Sequence, residues 1–210
     1  MSAPVGCPNP GRIRRHGFQA LDKRARRAVS RLVLATFAGA VGFAQADPSA
    51  SGVLLEGTPL ATQWFEVRGP CAGPTVVITA GAHGDEIAGP IAAEQIRYWP
   101  LRRGRLLVLP RANIRALRAG RRTTPGESPA LSNLNRNYPS AHLPEPRGEL
   151  ARAVFGWIQS AQPDWLLDLH EGKGVHATTP SSVGRTLIVS QSPLARQMAT
   201  QLWRRVNATV

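Results

Sequence analysis

Thr75-Val76-Val77-Ile78-Thr79-Ala80-Gly81-Ala82-His83-Gly84-Asp85-Glu86 runs from an apolar, β-branched stretch into a glycine-flanked turn that carries a histidine and two acids. Thr75 to Thr79, bounded by Pro74 and Gly81, predicts a buried strand. Asp85 to Tyr98 predicts a helix, with Ile87, Ile91, Ala92 and Ile96 close to one face and Pro100 ending it. Pro90 falls in its early turns, where a missing N–H is best tolerated. The same alternation continues along the chain. Thr62 to Val67 is strand-like, and Arg105 to Leu109 is a second buried strand. Glu149 to Gln159 is a helix with Leu150, Val154, Trp157 and Ile158 inward, and Asp164 to His170 is a third buried strand. Thr186 to Ser190 is read as a fourth, and Ser192 caps a final helix carrying Leu194, Met198, Leu202 and Val206. Residues 111–148 show little periodicity, and a loop of that length in a compact domain is usually functional. Strands alternating with helices imply an α/β fold, a mostly parallel or mixed sheet flanked by helices. In such sheets ligands bind outside the carboxyl ends of the strands, where His83 and His170 both fall.

The residue types at these strand ends are those of a metal site. His83 and Glu86 lie three apart at a strand-to-helix junction, so both can point at one centre. Gly81 and Gly84 permit close backbone approach around His83. His170 comes 84 residues after Glu86, which leaves room for a crossover and a long loop. Two imidazoles and one carboxylate are the ligand set of an open, catalytic zinc site, and one Zn2+ ion is the expected cofactor. A lone His-x-x-Glu is weak evidence; Gly-x-His-Gly-x-Glu after a buried strand, with Asp-Leu-His after another, is far more specific. Between the two lies Asn133-Leu134-Asn135-Arg136-Asn137-Tyr138-Pro139. There Arg136 can meet a carboxylate with two parallel hydrogen bonds and Asn135 adds a neutral donor. Asp168, two residues before a candidate ligand, is placed to orient an imidazole or to serve as a plain strand-end polar residue.

Over residues 73–190 the chain resembles the zinc carboxypeptidase superfamily, and most closely its succinylglutamate desuccinylase/aspartoacylase branch. The matching segments are Thr79-Ala-Gly-Ala-His-Gly-Asp-Glu86, Ala119-Gly-Arg-Arg122, Asn133-Leu-Asn-Arg-Asn-Tyr-Pro139 and Leu167-Asp-Leu-His-Glu-Gly172. The resemblance implies a carboxypeptidase-like fold with His83, Glu86 and His170 as zinc ligands. It implies that Asn135 and Arg136 grip a substrate carboxylate. It also implies that an arginine of the upstream loop, best matched by Arg122, polarises the scissile carbonyl; Arg121 stands beside it as the alternative. The expected activity is zinc-dependent cleavage of amide bonds in small carboxylate-bearing substrates, a deacylase of N-acyl amino acids. A metallocarboxypeptidase acting on peptides or cell-wall stem peptides is the alternative. The family places its general-base Glu on a late strand, whereas Glu171 is the only acid after His170. Alternation along a strand turns Glu171 away from the face of His170. The chain is therefore expected to be C-terminally incomplete, and a zinc-binding protein without turnover is a third reading.

Composition bounds these readings. The chain has 210 residues and a net charge of +13. Residues 1–46 contribute +7 of that, from eight basic residues against Asp22, and no basic run is interleaved with aromatics. Nucleic acid is accordingly not an expected partner. Residues 1–46 read as an export signal. Lys23, Arg24, Arg26, Arg27 and Arg31 precede an apolar stretch from Leu32 to Phe43, and Ala44-Gln45-Ala46 forms a small-x-small cleavage site. The apolar stretch is short for a bilayer span, so no stable membrane insertion is expected after cleavage. Residues 47–210 would then form the exported, periplasmic or secreted hydrolase domain. Cleavage removes Cys7 and leaves Cys71 without an internal disulfide partner. No Gly-x-Ser-x-Gly elbow or phosphate-binding Gly-Lys-Ser/Thr loop is present. Composition does not specify an oligomeric state.

Overall fold

Alternating strands and helices form as the hydrophobic pattern requires. A computed structural model describes residues 47–172 and 186–208, and the expected export signal lies outside them. The strands are β1 (Ala50–Leu54), β2 (Thr62–Arg68), β3 (Thr75–Ala80), β4 (Arg105–Leu109) and β5 (Trp165–Leu169). The helices are α1 (Ala88–Ile96), α2 (Ile114–Ala119), α3 (Pro129–Ser132), α4 (Glu149–Ala161) and α5 (Pro193–Asn207). A 3-10 turn spans Leu134–Arg136.

The five strands form one sheet in the order β1-β2-β4-β3-β5. β1–β2 and β2–β4 are antiparallel, while β4–β3 and β3–β5 are parallel. The parallel centre follows from chain order, because each parallel pair needs a crossover helix. α1 links β3 to β4, and α4 closes the longer path from β4 to β5. β3 and β4 read as near-continuous apolar runs because both their faces are covered. On one face Val77, Leu107 and Leu109 pack with Leu150, Ala151, Val154 and Trp157 of α4. On the other Ile78, Ala80, Leu106 and Val108 pack with Ala93 of α1. A reciprocal pair locks the register where β3 and β5 begin. The Thr75 N–H donates to Asp164 Oδ2 at 2.8 Å, and the Asp164 N–H donates to Thr75 O at 2.9 Å.

Three expectations change. α1 begins at Ala88, because Asp85 to Ile87 continue the turn after β3. Its buried face is Gly89, Pro90 and Ala93, whereas Ile87 and Ile91 are 59% and 54% exposed. A Cβ on Gly89 would stand 2.7 Å from the Leu169 carbonyl oxygen, so α1 approaches the end of β5 through a glycine, while Ile96 packs against the core as expected. Residues 186–190 form no strand; they are exposed and unladdered, Ile188 by 87%. A β-branched run becomes a strand only where a neighbour supplies the other half of the ladder. The long segment 111–148 is also more structured than its weak periodicity suggests, since it holds α2, α3 and the 3-10 turn. Cys71 is disulfide-bonded. Ser192 does cap α5, accepting from the Ala195 N–H. No helix among the described residues is long and apolar enough to cross a membrane.

Candidate metal centre

β3 ends in a turn that the sequence builds for tight packing. Gly81 adopts a φ of +75°, which favours glycine. A Cβ on Gly84 would stand 1.8 Å from the Ala116 carbonyl oxygen, so no other residue fits there. The Gly84 N–H donates to Arg121 O at 2.8 Å, which ties the turn to the segment after α2. Asn113, fully buried, joins the same elements. Its Oδ1 accepts from the Ala116 N–H at 3.1 Å, and its Nδ2 donates to Ala82 O and to Thr124 Oγ1. These bonds hold the backbone on both sides of His83 and Arg122.

The turn presents His83 and Glu86, and the adjacent parallel strand β5 presents His170 just past its end. One potential ligand atom from each lies within 4.8 Å of the others. The donor set fits a metal ion on a specific observation: His83 Nε2 is buried and has no hydrogen-bond partner. The other ring nitrogen, Nδ1, lies 2.9 Å from the Arg122 carbonyl oxygen. A proton on Nδ1 donates there and leaves Nε2 as a bare lone pair, the form a metal ligand requires. Burial pushes the His83 pKa below its ordinary value, only partly opposed by the bond to Arg122 O, and favours this neutral ring.

Glu86 is 5% exposed, and both its oxygens are engaged. Oε1 accepts from Arg122 Nη1 at 2.6 Å; Oε2 lies 2.8 Å from His170 Nδ1 and accepts from the Glu171 N–H at 3.2 Å. Burial works to raise its pKa, but the bonds from His170, Glu171 and Arg122 outweigh it and hold the carboxyl below its ordinary value. His170 is gripped from its other side by Asp168, whose Oδ2 lies 2.8 Å from Nε2. Thr79 Oγ1 donates to Asp168 Oδ1 at 2.8 Å and fixes that carboxylate from the neighbouring strand. The Asp168 bond, helped by Glu86, raises the His170 pKa to about 9 despite partial burial.

His83, Glu86 and His170, predicted from opposite ends of a long loop, therefore converge, and Asp168 holds the imidazole of His170. Of the two adjacent arginines, Arg122 turns its guanidinium to Glu86, while Arg121 reaches the turn through its backbone carbonyl. Asn135 and Arg136 lie on the 3-10 turn, with Arg136 exposed and its Nη1 donating to Asn135 O. Tyr138, two residues on, packs against the α4-side core. Its phenol pKa is raised first by burial and then by the Asp168 carboxylate, so this segment lies within electrostatic reach of β5's end. Glu171 follows His170 past the end of β5, and its carboxylate accepts from the Ala88 N–H. Asn113 carried no signal in a segment without periodicity; an Asn four residues past the end of a buried strand, opening a helix, is the pattern that would have marked it.

Comparison with known proteins matches the model of the succinylglutamate desuccinylase/aspartoacylase catalytic domain to residues 72–200. An N-alpha-acetyl-L-2,4-diaminobutyric acid deacetylase from Halomonas elongata is 36% identical over 107 residues, 48% of this chain and 29% of that protein. An aspartoacylase family protein of solved structure from Mesorhizobium loti is 30% identical. That match covers 58% of this chain and 40% of the other, with a TM-score of 0.48. The ectoine utilization protein EutE (DoeB) from Ruegeria pomeroyi is 31% identical, over 53% of this chain and 34% of its own, with a TM-score of 0.43. The chain thus spans less than half the length of each of these relatives.

Proposed function

The chain belongs to the succinylglutamate desuccinylase/aspartoacylase catalytic-domain family, and on that premise we propose that it is a zinc-dependent hydrolase of amide bonds in carboxylate-bearing substrates, with N-acyl amino acids as the substrate class. The observation that carries this reading is the buried, partnerless Nε2 of His83 beside Glu86 and His170 at two adjacent parallel strand ends. Two imidazoles and a carboxylate leave a fourth position open for water or substrate.

His83, Glu86 and His170 would hold the ion, which when bound supplies an activated water and a Lewis acid for the carbonyl oxygen. The chain's own groups do the rest. Arg122, half exposed and 2.6 Å from Glu86 Oε1, is placed to share its guanidinium with an oxygen that gains negative charge in the transition state. Asn135 and Arg136 would orient the substrate through its carboxylate, which gives the preference for acidic substrates. Asp168 and the Arg122 carbonyl keep the two imidazoles in fixed rotamers and tautomers. We further propose that residues 1–46 direct export, on the basis of their basic, apolar and small-residue order.

A second reading, metal binding without turnover, is favoured by one observation. The acids flanking His170 are already bonded: Glu171 Oε2 accepts from the Ala88 N–H, and the Asp168 oxygens meet Thr79 Oγ1 and His170 Nε2. Zinc titration of the full chain, together with hydrolysis of N-acyl amino acid and C-terminal peptide panels, separates the readings. One zinc per chain, lost in both His83→Ala and His170→Ala, with preferential cleavage of N-acyl amino acids, is the expected result. Preferential release of C-terminal residues from peptides would instead mark a carboxypeptidase, and stoichiometric zinc with no hydrolysis the second reading. Zinc retained by both variants would reject the site itself.

A further inference from the structure

α1 has no cap of its own. Ile87 occupies the N-cap position and makes no side-chain hydrogen bond, and the first turn contains no acid. Pro90, in that first turn, carries no N–H, but the Ala88 and Gly89 N–H groups still lack partners inside the helix. The Ala88 N–H finds one far along the chain: it donates to Glu171 Oε2 at 3.1 Å. Negative charge at a helix N-terminus is also favoured by the aligned peptide dipoles. The backbone of the same residue reaches the metal centre, since the Glu171 N–H donates to Glu86 Oε2 at 3.2 Å. Packing is close at this point, where a Cβ on Gly89 would stand 2.7 Å from the Leu169 carbonyl oxygen.

We propose that Glu171 is a positioning residue for the metal centre: its side chain caps α1 from the end of β5, its N–H holds Glu86, and together they keep Glu86 and His170 in ligand register. Glu86 lies two residues before α1, and His170 immediately before Glu171. One residue thus bridges the two backbone segments that carry these ligands, which no bond within β3 or α1 does. The inference rests on the metal-site reading above, and its test separates the two.

Zinc affinity of the full chain is measured by competition with a chromophoric chelator, and exchange of the Ala88 amide is followed in the metal-free protein. Loss of groups that orient metal ligands costs about 10- to 100-fold in affinity. Glu171→Ala is therefore expected to weaken zinc binding about tenfold or more and to speed Ala88 exchange. Glu171→Gln keeps an acceptor at the same reach and is expected to stay within about threefold of the parent. Glu171→Asp keeps the charge but withdraws it by one methylene, and is expected to fall with the alanine variant. Should alanine prevent folding, the Gln and Asp pair decides alone. Unchanged affinity in Glu171→Ala, or Asp retaining what Gln loses, overturns the proposal. Failure of the parent protein to bind zinc would instead reject the metal centre, and Ala88 exchange would still report on the cap.

Discussion

His83 and His170 are the same side chain in opposite electrostatic settings. His83 is buried against a backbone carbonyl and is held neutral; His170 lies between two carboxylates and is held protonated when no metal is present. The difference has a measurable consequence for the metal-free protein. The folded pKa of His170, about 9, exceeds its ordinary 6.5. Its contribution to stability is therefore fully present below pH 6.5 and is lost as pH rises through 9. The melting temperature of the chelator-treated protein is expected to fall across that window. Asp168→Asn removes the first cause of the shift and should flatten the fall; a parent protein equally stable at pH 6.5 and pH 9 would contradict the arrangement. Among these residues the convergence of His83, Glu86 and His170 was legible from motif spacing, because strand ends and glycines constrain where such side chains can point. Which of Arg121 and Arg122 faces the site was not legible. Adjacent residues in an irregular segment have no periodicity to assign them faces; the bonds of Arg121 to Gly84 and Ala116 and of Arg122 O to His83 Nδ1 orient the pair.

At the scale of elements, periodicity located the secondary structure more reliably than it located the buried faces. β4 was read to the residue, since four successive buried apolar side chains admit few alternatives. α4 also kept its expected face, with Leu150, Val154 and Trp157 buried. α1 kept only part of its face: Ile96 packs against the core, but the buried residues are Gly89, Pro90 and Ala93, and Ile91 is exposed. The two cases can be compared by denaturant unfolding of the metal-free protein. Leu109→Ala, at a fully buried position of β4, is expected to cost about 2–5 kcal/mol. Ile91→Ala, on the exposed side of α1, should change stability by about 0.5 kcal/mol or less. A large loss from Ile91→Ala would restore the face that periodicity predicts. The missed elements share a cause. β1 is an edge strand with mostly exposed residues, and α2 is six residues long with its cap, Asn113, serving tertiary contacts as well.

Taken as a molecule, the chain gathers its candidate ligands from two parallel strands that are neighbours in space and 84 residues apart in sequence. A bound ion would therefore close the loop containing α1, β4, α2, α3 and α4, and should stabilise the folded chain in proportion to its saturation. At a free zinc concentration of 100 times Kd the gain is about 2.7 kcal/mol. Thermal unfolding is expected to shift upward with zinc and to return with chelator, while His170→Ala should show no shift; an equal shift in that variant would place the ion elsewhere. The sequence by itself determined the α/β class, the order of its principal strands and helices and the residue types of the candidate ligand set, because these follow from local pattern and residue type. Tertiary structure alone decided which arginine meets Glu86, which face of α1 is inside, that residues 186–190 pair with no strand among the described residues and that Glu171 Oε2 accepts from a helix N-terminus 83 residues upstream. Each of these depends on a distance between segments remote in sequence, and local pattern carries no information about such distances.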